Sequence, residues 1–305
     1  MRTAGGDNLL VRTWASDTGR AVESFAGAKG PVLATAFTSD GAILATSADG
    51  AATLWNSAPT WTLERTIGSI DDSASFVDRV LALAFSPDGK LLATGDGEPS
   101  RSGEVKLWNV ADGATVRTIN DAHSDTVFGL EFSPDGAYLA SCAADRFVKV
   151  FNAATGKLHK SFEGHTHHVL DVAWKADGKV LASGGADNVI KVWDFITGDQ
   201  RRTIAGFTKE VTSLAFVASS PKIVSTSGDK SVKLINTDDG KVERSFAGSS
   251  DFMYAIATTA DGRITVSGGQ DSVLFAWLVD DGQKLRSFEA PKSGETDKPL
   301  ASAGK

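Results

Sequence analysis

An all-β fold, a ring of four-stranded antiparallel blades, is predicted by three observations. The first is a repeat. Glycines that follow each predicted third strand, Gly113, Gly156, Gly198, Gly240 and Gly282, recur at intervals of 43, 42, 42 and 42 residues, and Gly19 holds the same place in the first unit. A period of about 40–45 residues suits four strands and their turns. The second is a turn signal inside each unit: Ser-Pro-Asp-Gly at 86–89 and 133–136, Ala-Asp-Gly at 176–178 and 260–262, Ser-Asp-Gly at 39–41. Asp bonds its own backbone and Gly accepts positive φ, so Asp-Gly favours a tight hairpin. The third is strand polarity, which rises from the first strand to the fourth. A radial blade needs this, with its inner strand buried and its outer strand solvated.

The elements follow in order. Apolar-alternating first strands occupy Val80 to Phe85, Val127 to Phe132, Val169 to Trp174 and Val211 to Phe216. Second strands are Leu91 to Thr94, Leu139 to Ser141 and Val180 to Ser183. Third strands end in a large apolar residue, as in Val105 to Trp108 and Val189 to Trp193. Fourth strands are polar and amphipathic: Lys157 to Phe162, Lys241 to Phe246, Gln283 to Phe288. Six complete sets begin near Val32, Val80, Val127, Val169, Val211 and Met253. An extra third and fourth strand lie near Asn8–Trp14 and Arg20–Phe25.

These extra strands predict a seventh blade, incomplete or shared between the two termini. The domain expectation is one β-propeller over 1–290 and a tail over 291–305 that supplies at most a partial closing strand. The seam is imperfect. Lys298 to Gly304 resembles a second strand, but Phe288 to Ser302 is 14 steps where Phe162 to Ser183 is 21, so the apolar inner strand is missing. Thr3 to Asp7 could serve as that same second strand. The chain is therefore either an imperfect seven-blade ring or part of a longer protein.

Gly164-His165, Asp187 and Trp193-Asp194 resemble the glycine-histidine and tryptophan-aspartate marks of WD40 repeats, and the likeness runs over roughly residues 3 to 288. The blades look like bacterial WD40 modules that in some families follow a c-type-cytochrome-like domain. No Cys-x-x-Cys-His is present here, so no haem is implied. The resemblance implies a hydrogen-bonded chain of His, Ser or Thr, Asp and Trp within a blade. Carried over by position, His165, Ser183, Asp187 and Trp193 supply it in full. Other blades are degenerate. One has His123, Ser141 and Asp145 with Phe151 for Trp. Another has Ser225 and Asp229 with Phe207 for His and Ile235 for Trp. A third keeps Ser267, Asp271 and Trp277 with Ser249 for His.

Composition narrows the function. The chain has 305 residues, 41% hydrophobic and 23% charged, and a net charge of −7, which argues against a broad nucleic-acid footprint. Its one cysteine, Cys142, reads as a small buried residue. No apolar run reaches the roughly 18 residues of a membrane span, and the N-terminus has no apolar signal core, so a cytoplasmic location is expected. His165, His167 and His168 are not read as a metal site, because His165 is used in the chain and adjacent residues seldom aim at one ion. No cofactor is expected.

Two insertions break the spacing, 68–79 and 95–104, and strand direction puts both on one face. Insertions in repeat proteins often mark a binding face. The candidate recognition residues are Asp71, Asp72, Asp78, Arg79, Glu98 and Arg101, with His123 and Asp125 beside them. The alternative is two solvated insertions without a recognition role. The expected function is a non-enzymatic scaffold that binds partner proteins or peptides on this face. Competing readings are a propeller module of a larger, cytochrome-type protein, or a hydrolase working in the central channel. A hydrolase would need several polar groups there, and the inner strands offer only Glu131 and Asp171 as exceptions to their apolar character.

Overall fold

Radial strands account for every regular element in the computed structural model, which describes residues 2–7, 10–15, 21–26, 31–48, 50–56, 62–68 and 75–289. Six antiparallel sheets of four strands each take their strands in chain order. Blade 1 spans 34–67, blade 2 82–123, blade 3 127–162, blade 4 169–204, blade 5 211–246 and blade 6 253–289. Blade 4 is representative: Val169–Trp174, Val180–Gly185, Ile190–Asp194 and Gln200–Ile204, from axis to rim. Its second strand is buried throughout, and its fourth reaches the core only at Ile204.

The structure corrects the seven-blade expectation. Among the described residues there are six four-stranded blades, and the N-terminal strands form a three-stranded sheet instead of a seventh blade. Its strands are Arg2–Asp7, Leu10–Ala15 and Ala21–Ala26. The reason is the redundancy in the sequence. Thr3 pairs with Trp14 and Gly6 with Val11, so the N-terminal strand already fills the edge that a shared C-terminal strand was expected to use. Buried Val11 packs with Leu44 and Trp55 of blade 1. The expected closing segment, within the tail 291–305, lies outside the described residues.

Turns hold the blades to register. In blade 3, Ser133 Oγ donates to Asp135 Oδ1 at 2.5 Å, Ala137 N donates to the same oxygen at 3.0 Å, and Gly136 takes φ 71°. This is the local bonding that Asp-Gly was expected to make.

The repeat glycines have a second use. Arg117, on the outer strand of blade 2, donates to Ala154 O at 2.6 Å and Thr155 O at 3.2 Å in the next blade. Arg65, Lys160, Arg202 and Arg244 make the same reach to Ala111, Phe195 and Ile196, Asp238, and Asp280 and Asp281. A cation on the outer strand of each of blades 1 to 5 thus caps the turn carbonyls of its neighbour. The stem of Arg117 lies over Gly156, where a Cβ would stand 2.5 Å from its Cδ and where φ is +70°. Gly156→Ala is therefore expected to cost about 1–2 kcal/mol, from left-handed backbone strain and loss of the clasp. Urea unfolding of the variant checks this, and an unchanged midpoint would remove the clasp from the account.

Candidate functional site: the loop face and the channel mouth

The loop that leads into each inner strand and the turn between second and third strands share one face of the ring. The His-Ser-Asp-Trp chains lie just beneath it. In blade 4, Trp193 Nε1 donates to Ser183 Oγ at 2.8 Å, and Ser183 Oγ meets His165 Nε2 at 2.8 Å. His165 Nδ1 meets Asp187 at 2.9 Å. With a neutral imidazole one proton assignment satisfies this chain: Trp N–H to Ser, Ser O–H to Nε2, Nδ1–H to Asp. Burial pushes the His165 pKa down, in keeping with that neutral form. Asp187 also accepts from Thr166 N at 3.0 Å and so fixes the loop above it.

Blade 3 repeats the arrangement with His123, Ser141 and Asp145 at 2.7–3.0 Å, and buried Phe151 stands where the indole would be. The set has the outline of a hydrolytic triad, but Ser141 is 0% exposed and His123 1%, so no substrate reaches the hydroxyl. In blade 5, with Phe207 and Ile235 in place of His and Trp, the Ser225 hydroxyl is buried without a partner. In blade 6, Ser267 is likewise orphaned, and Trp277 Nε1 donates to Ala247 O at 3.2 Å instead. Asp229 and Asp271 keep one task, accepting from Thr208 N and Ser250 N.

Sequence reasoning missed four residues of these chains. Thr46 and Thr94 take the indole N–H of Trp55 and Trp108 at 3.0 and 2.9 Å, a role legible from their second-strand positions. In blade 2, Phe76 fills the His position and packs on Trp108. There Asp96, at the end of the second strand, accepts from Val77 N at 2.7 Å, the bond a turn aspartate makes elsewhere. Burial raises its pKa to about 6.

The candidate recognition residues divide. Asp78 and Arg79 are neighbours 3.9 Å apart, and Glu98 bonds Arg101, so each exposed pair is self-neutralised. Asp125 Oδ1 accepts from Ser100 N and Thr126 N, both at 2.8 Å, and ties the 95–104 insertion to the loop entering blade 3. His123 is turned inward. Asp71 and Asp72 lie outside the described residues. His167 and His168 stack, with ring centroids 4.5 Å apart, and His168 N donates to His167 Nδ1. Among the described residues no three His, Cys, Asp or Glu side chains converge as metal ligands would.

An axial cavity of about 500 Å³ takes Thr35, Leu83, Glu131, Asp171, Ser213 and Ile256 from the six inner strands. Its two carboxylates bridge neighbouring blades. Glu131 accepts from Trp174 N, and Trp174 Nε1 donates to Glu131 O at 3.2 Å. Asp171 accepts from Ser213 Oγ and Leu214 N, each at 2.8 Å. Burial raises Glu131 to about 8, with the Asp171 charge adding to the shift, and burial raises Asp171 to about 6.

The second residue of each inner-strand run stands at the loop-face end of its strand, and together these positions make a collar around that end. Leu33, Leu81, Phe128, Leu170 and Tyr254 are apolar or aromatic, with Thr212 in blade 5. Tyr254 is 53% exposed and Leu33 40%. Phe252 packs on Tyr254 at 5.0 Å, and the Tyr254 hydroxyl bonds Gln270.

The family model described as WD domain, G-beta repeat matches residues 19–56, 69–109, 113–152, 156–194 and 198–236. The chain belongs to the WD40 repeat family. Repeat proteins of this family generally act as scaffolds rather than enzymes, and they typically bind other proteins. The chain is 27% identical over 177 residues to a periodic tryptophan protein 2 homolog of Schizosaccharomyces pombe, covering 52% of this chain and 19% of that one. It is 33% identical over 161 residues to apoptotic protease-activating factor 1 of Rattus norvegicus, 50% and 12% of the two chains. It is 30% identical over 148 residues to WD repeat-containing protein SL1-17 of Schistosoma mansoni, 48% and 45%. The WD40 chain thus spans less than half the length of each. These relatives are eukaryotic, which corrects the expected likeness to bacterial modules: the residues that carry the likeness are the structural ones, common to blades from any source.

Proposed function

We propose that this WD40 propeller is a non-enzymatic scaffold that holds partner proteins or peptides on the face bearing the 68–79 and 95–104 insertions. The collar carries the proposal. Partly exposed apolar and aromatic side chains are what a partner's side chains bury against, and such anchors dominate interface energy. The enzyme reading is weaker, because Glu131 and Asp171 are occupied with backbone and side-chain donors of the next blade. The reading as a module of a larger protein is favoured by the greater length of the relatives, and it leaves the face and its task unchanged.

Selection of a random-peptide display library against the chain tests the scaffold reading. Enriched peptides are expected to lose at least about tenfold in affinity for Phe128→Ser/Tyr254→Ser, and to keep it for Ile196→Ser on the opposite face. Peptides indifferent to the collar would sink the proposal.

A further inference from the structure

We infer that the loop face carries a docking strip for an acidic, extended segment of a partner protein, running over blades 3 to 5 and built on Arg146, Lys209 and Lys230 with His167 and His168 between them. The inference rests on the scaffold reading and names the chemistry of its partner.

The turn between second and third strands has one residue in the left-handed region in each of four blades: Arg146 at φ 77°, Asn188 at 65°, Lys230 at 73° and Ser272 at 58°. Asn tolerates this conformation because its short amide bonds locally, whereas other residues with a Cβ adopt it at a cost. Blades 3 and 5 nevertheless place cations there. Both side chains are exposed. The turn fixes the conformation in all four blades but not the residue type, so a cation at this position is a reason to look for a task.

The surroundings favour a cationic outer surface. The aspartates of these turns are consumed by the protein itself: Asp145, Asp187 and Asp229 accept from Ser124 N, Thr166 N and Thr208 N. Their carboxylates sit under the loops, with side chains 5% and 8% exposed for Asp145 and Asp187. Arg146 and Lys209 reach outward with no ion pair among the described residues, and Lys230 Nζ lies on the surface at Ser250 O, 2.8 Å away. Lys149 and Lys233 add a second row, bonded to Ala122 O and Gly206 O beneath the loops. Glu163 and Glu210 stand in the loops entering blades 4 and 5, and Asp125 and Asp251 flank the strip at its two ends. The contrast is with blade 2, where Asp78–Arg79 and Glu98–Arg101 cancel locally.

Geometry sets the ligand class. The cations stand on blades 3 and 5 with blade 4 between them, so one phosphate or one carboxylate cannot meet them together, whereas an extended chain with several carboxylates can. Phe128, whose ring lies 6.0 Å from that of His168, joins the strip to the collar. The ligand would therefore lay acidic residues over blades 3 to 5 and an apolar residue at the collar. Nucleic acid fits less well, since the chain carries a net charge of −7.

The test is fluorescence anisotropy with a labelled ten-residue glutamate peptide, a Gly-Ser peptide of the same length, and a ten-nucleotide oligouridylate. The glutamate peptide is expected to bind with an affinity that falls as salt rises, and roughly tenfold more weakly to Arg146→Asn/Lys209→Ser/Lys230→Asn. Because Asn suits the left-handed turn, the unfolding midpoint of that variant is expected to hold or rise, so a binding loss would not reflect a damaged fold. Equal glutamate binding by the variant, no binding by the wild type, or tighter binding of the oligouridylate would each overturn the inference. Display-selected peptides separate the two proposals. If they depend on Tyr254 and Phe128 but are not acidic, the strip fails and the scaffold face stands. If nothing depends on the collar, both fail.

Discussion

Trp193→Ala is expected to lower the stability of the chain by about 3–5 kcal/mol. Trp193 is 2% exposed and lies among Phe162, Val172 and Leu181 in one apolar cluster. Removing the indole opens a cavity in a blade whose second strand is wholly buried. It also withdraws the N–H that Ser183 Oγ accepts at 2.8 Å. Blade 3 indicates how much of the loss is shape. There Phe151 stands at the Trp position, and His123, Ser141 and Asp145 keep their bonds. Trp193→Phe should therefore cost less, about 1–2 kcal/mol, for one hydrogen bond and a smaller void. Urea unfolding followed by circular dichroism separates the two variants. If Trp193→Ala unfolds at the wild-type midpoint, the indole is not what holds the blade.

The blades were legible because their signals are local. The Asp-Gly turns, the apolar alternation of Val169–Trp174 and the recurring glycine each lie within one unit, and the structure places six sets of four strands where the period predicts. The count went astray at the N-terminus, where pairing decides the outcome and composition does not. Thr3 to Asp7 and Lys298 to Gly304 both resemble second strands, and only the register of Thr3 on Trp14 assigns the first of them. Glu131 and Asp171 stood out in the sequence as misfits on apolar strands. Their partners, Trp174 and Ser213, are 43 and 42 residues away, so their bridging role needed the neighbouring blade. The Arg117 clasp on Gly156 was hidden for the same reason. The collar was hidden because alternation in an inner strand says nothing about which residues ring its loop-face end. The left-handed conformation of Arg146 had no residue-type signal at all, since arginine is not expected there.

Stability is expected to fall toward both acid and alkaline pH, with Glu131 responsible for most of the alkaline limb. The folded-state pKa of Glu131 is raised from 4.5 to about 8 by burial. The folded protein therefore holds this proton more tightly than the unfolded chain does. Its contribution is fully present below about pH 4.5 and is lost as pH rises through about 8. Asp171, raised from 3.8 to about 6, acts in the same sense over a lower window. The histidines act oppositely. Burial depresses the pKa values of His123 and His165 below 6.5, so the unfolded chain takes up protons first and stability falls as pH drops below that value. Glu131→Gln keeps an oxygen for Trp174 N and removes the charge that must otherwise form beside Asp171. Glu131 is partly exposed to the axial cavity, which weakens the penalty on its charge, so the variant is expected to be more stable than wild type by about 1–3 kcal/mol at pH 9 and close to it at pH 5. Urea unfolding at pH 5, 7 and 9 reads the difference directly. An alkaline limb as steep in Glu131→Gln as in the wild type would assign the lost proton to another group and leave the carboxylate of Glu131 ionised in the wall of the channel.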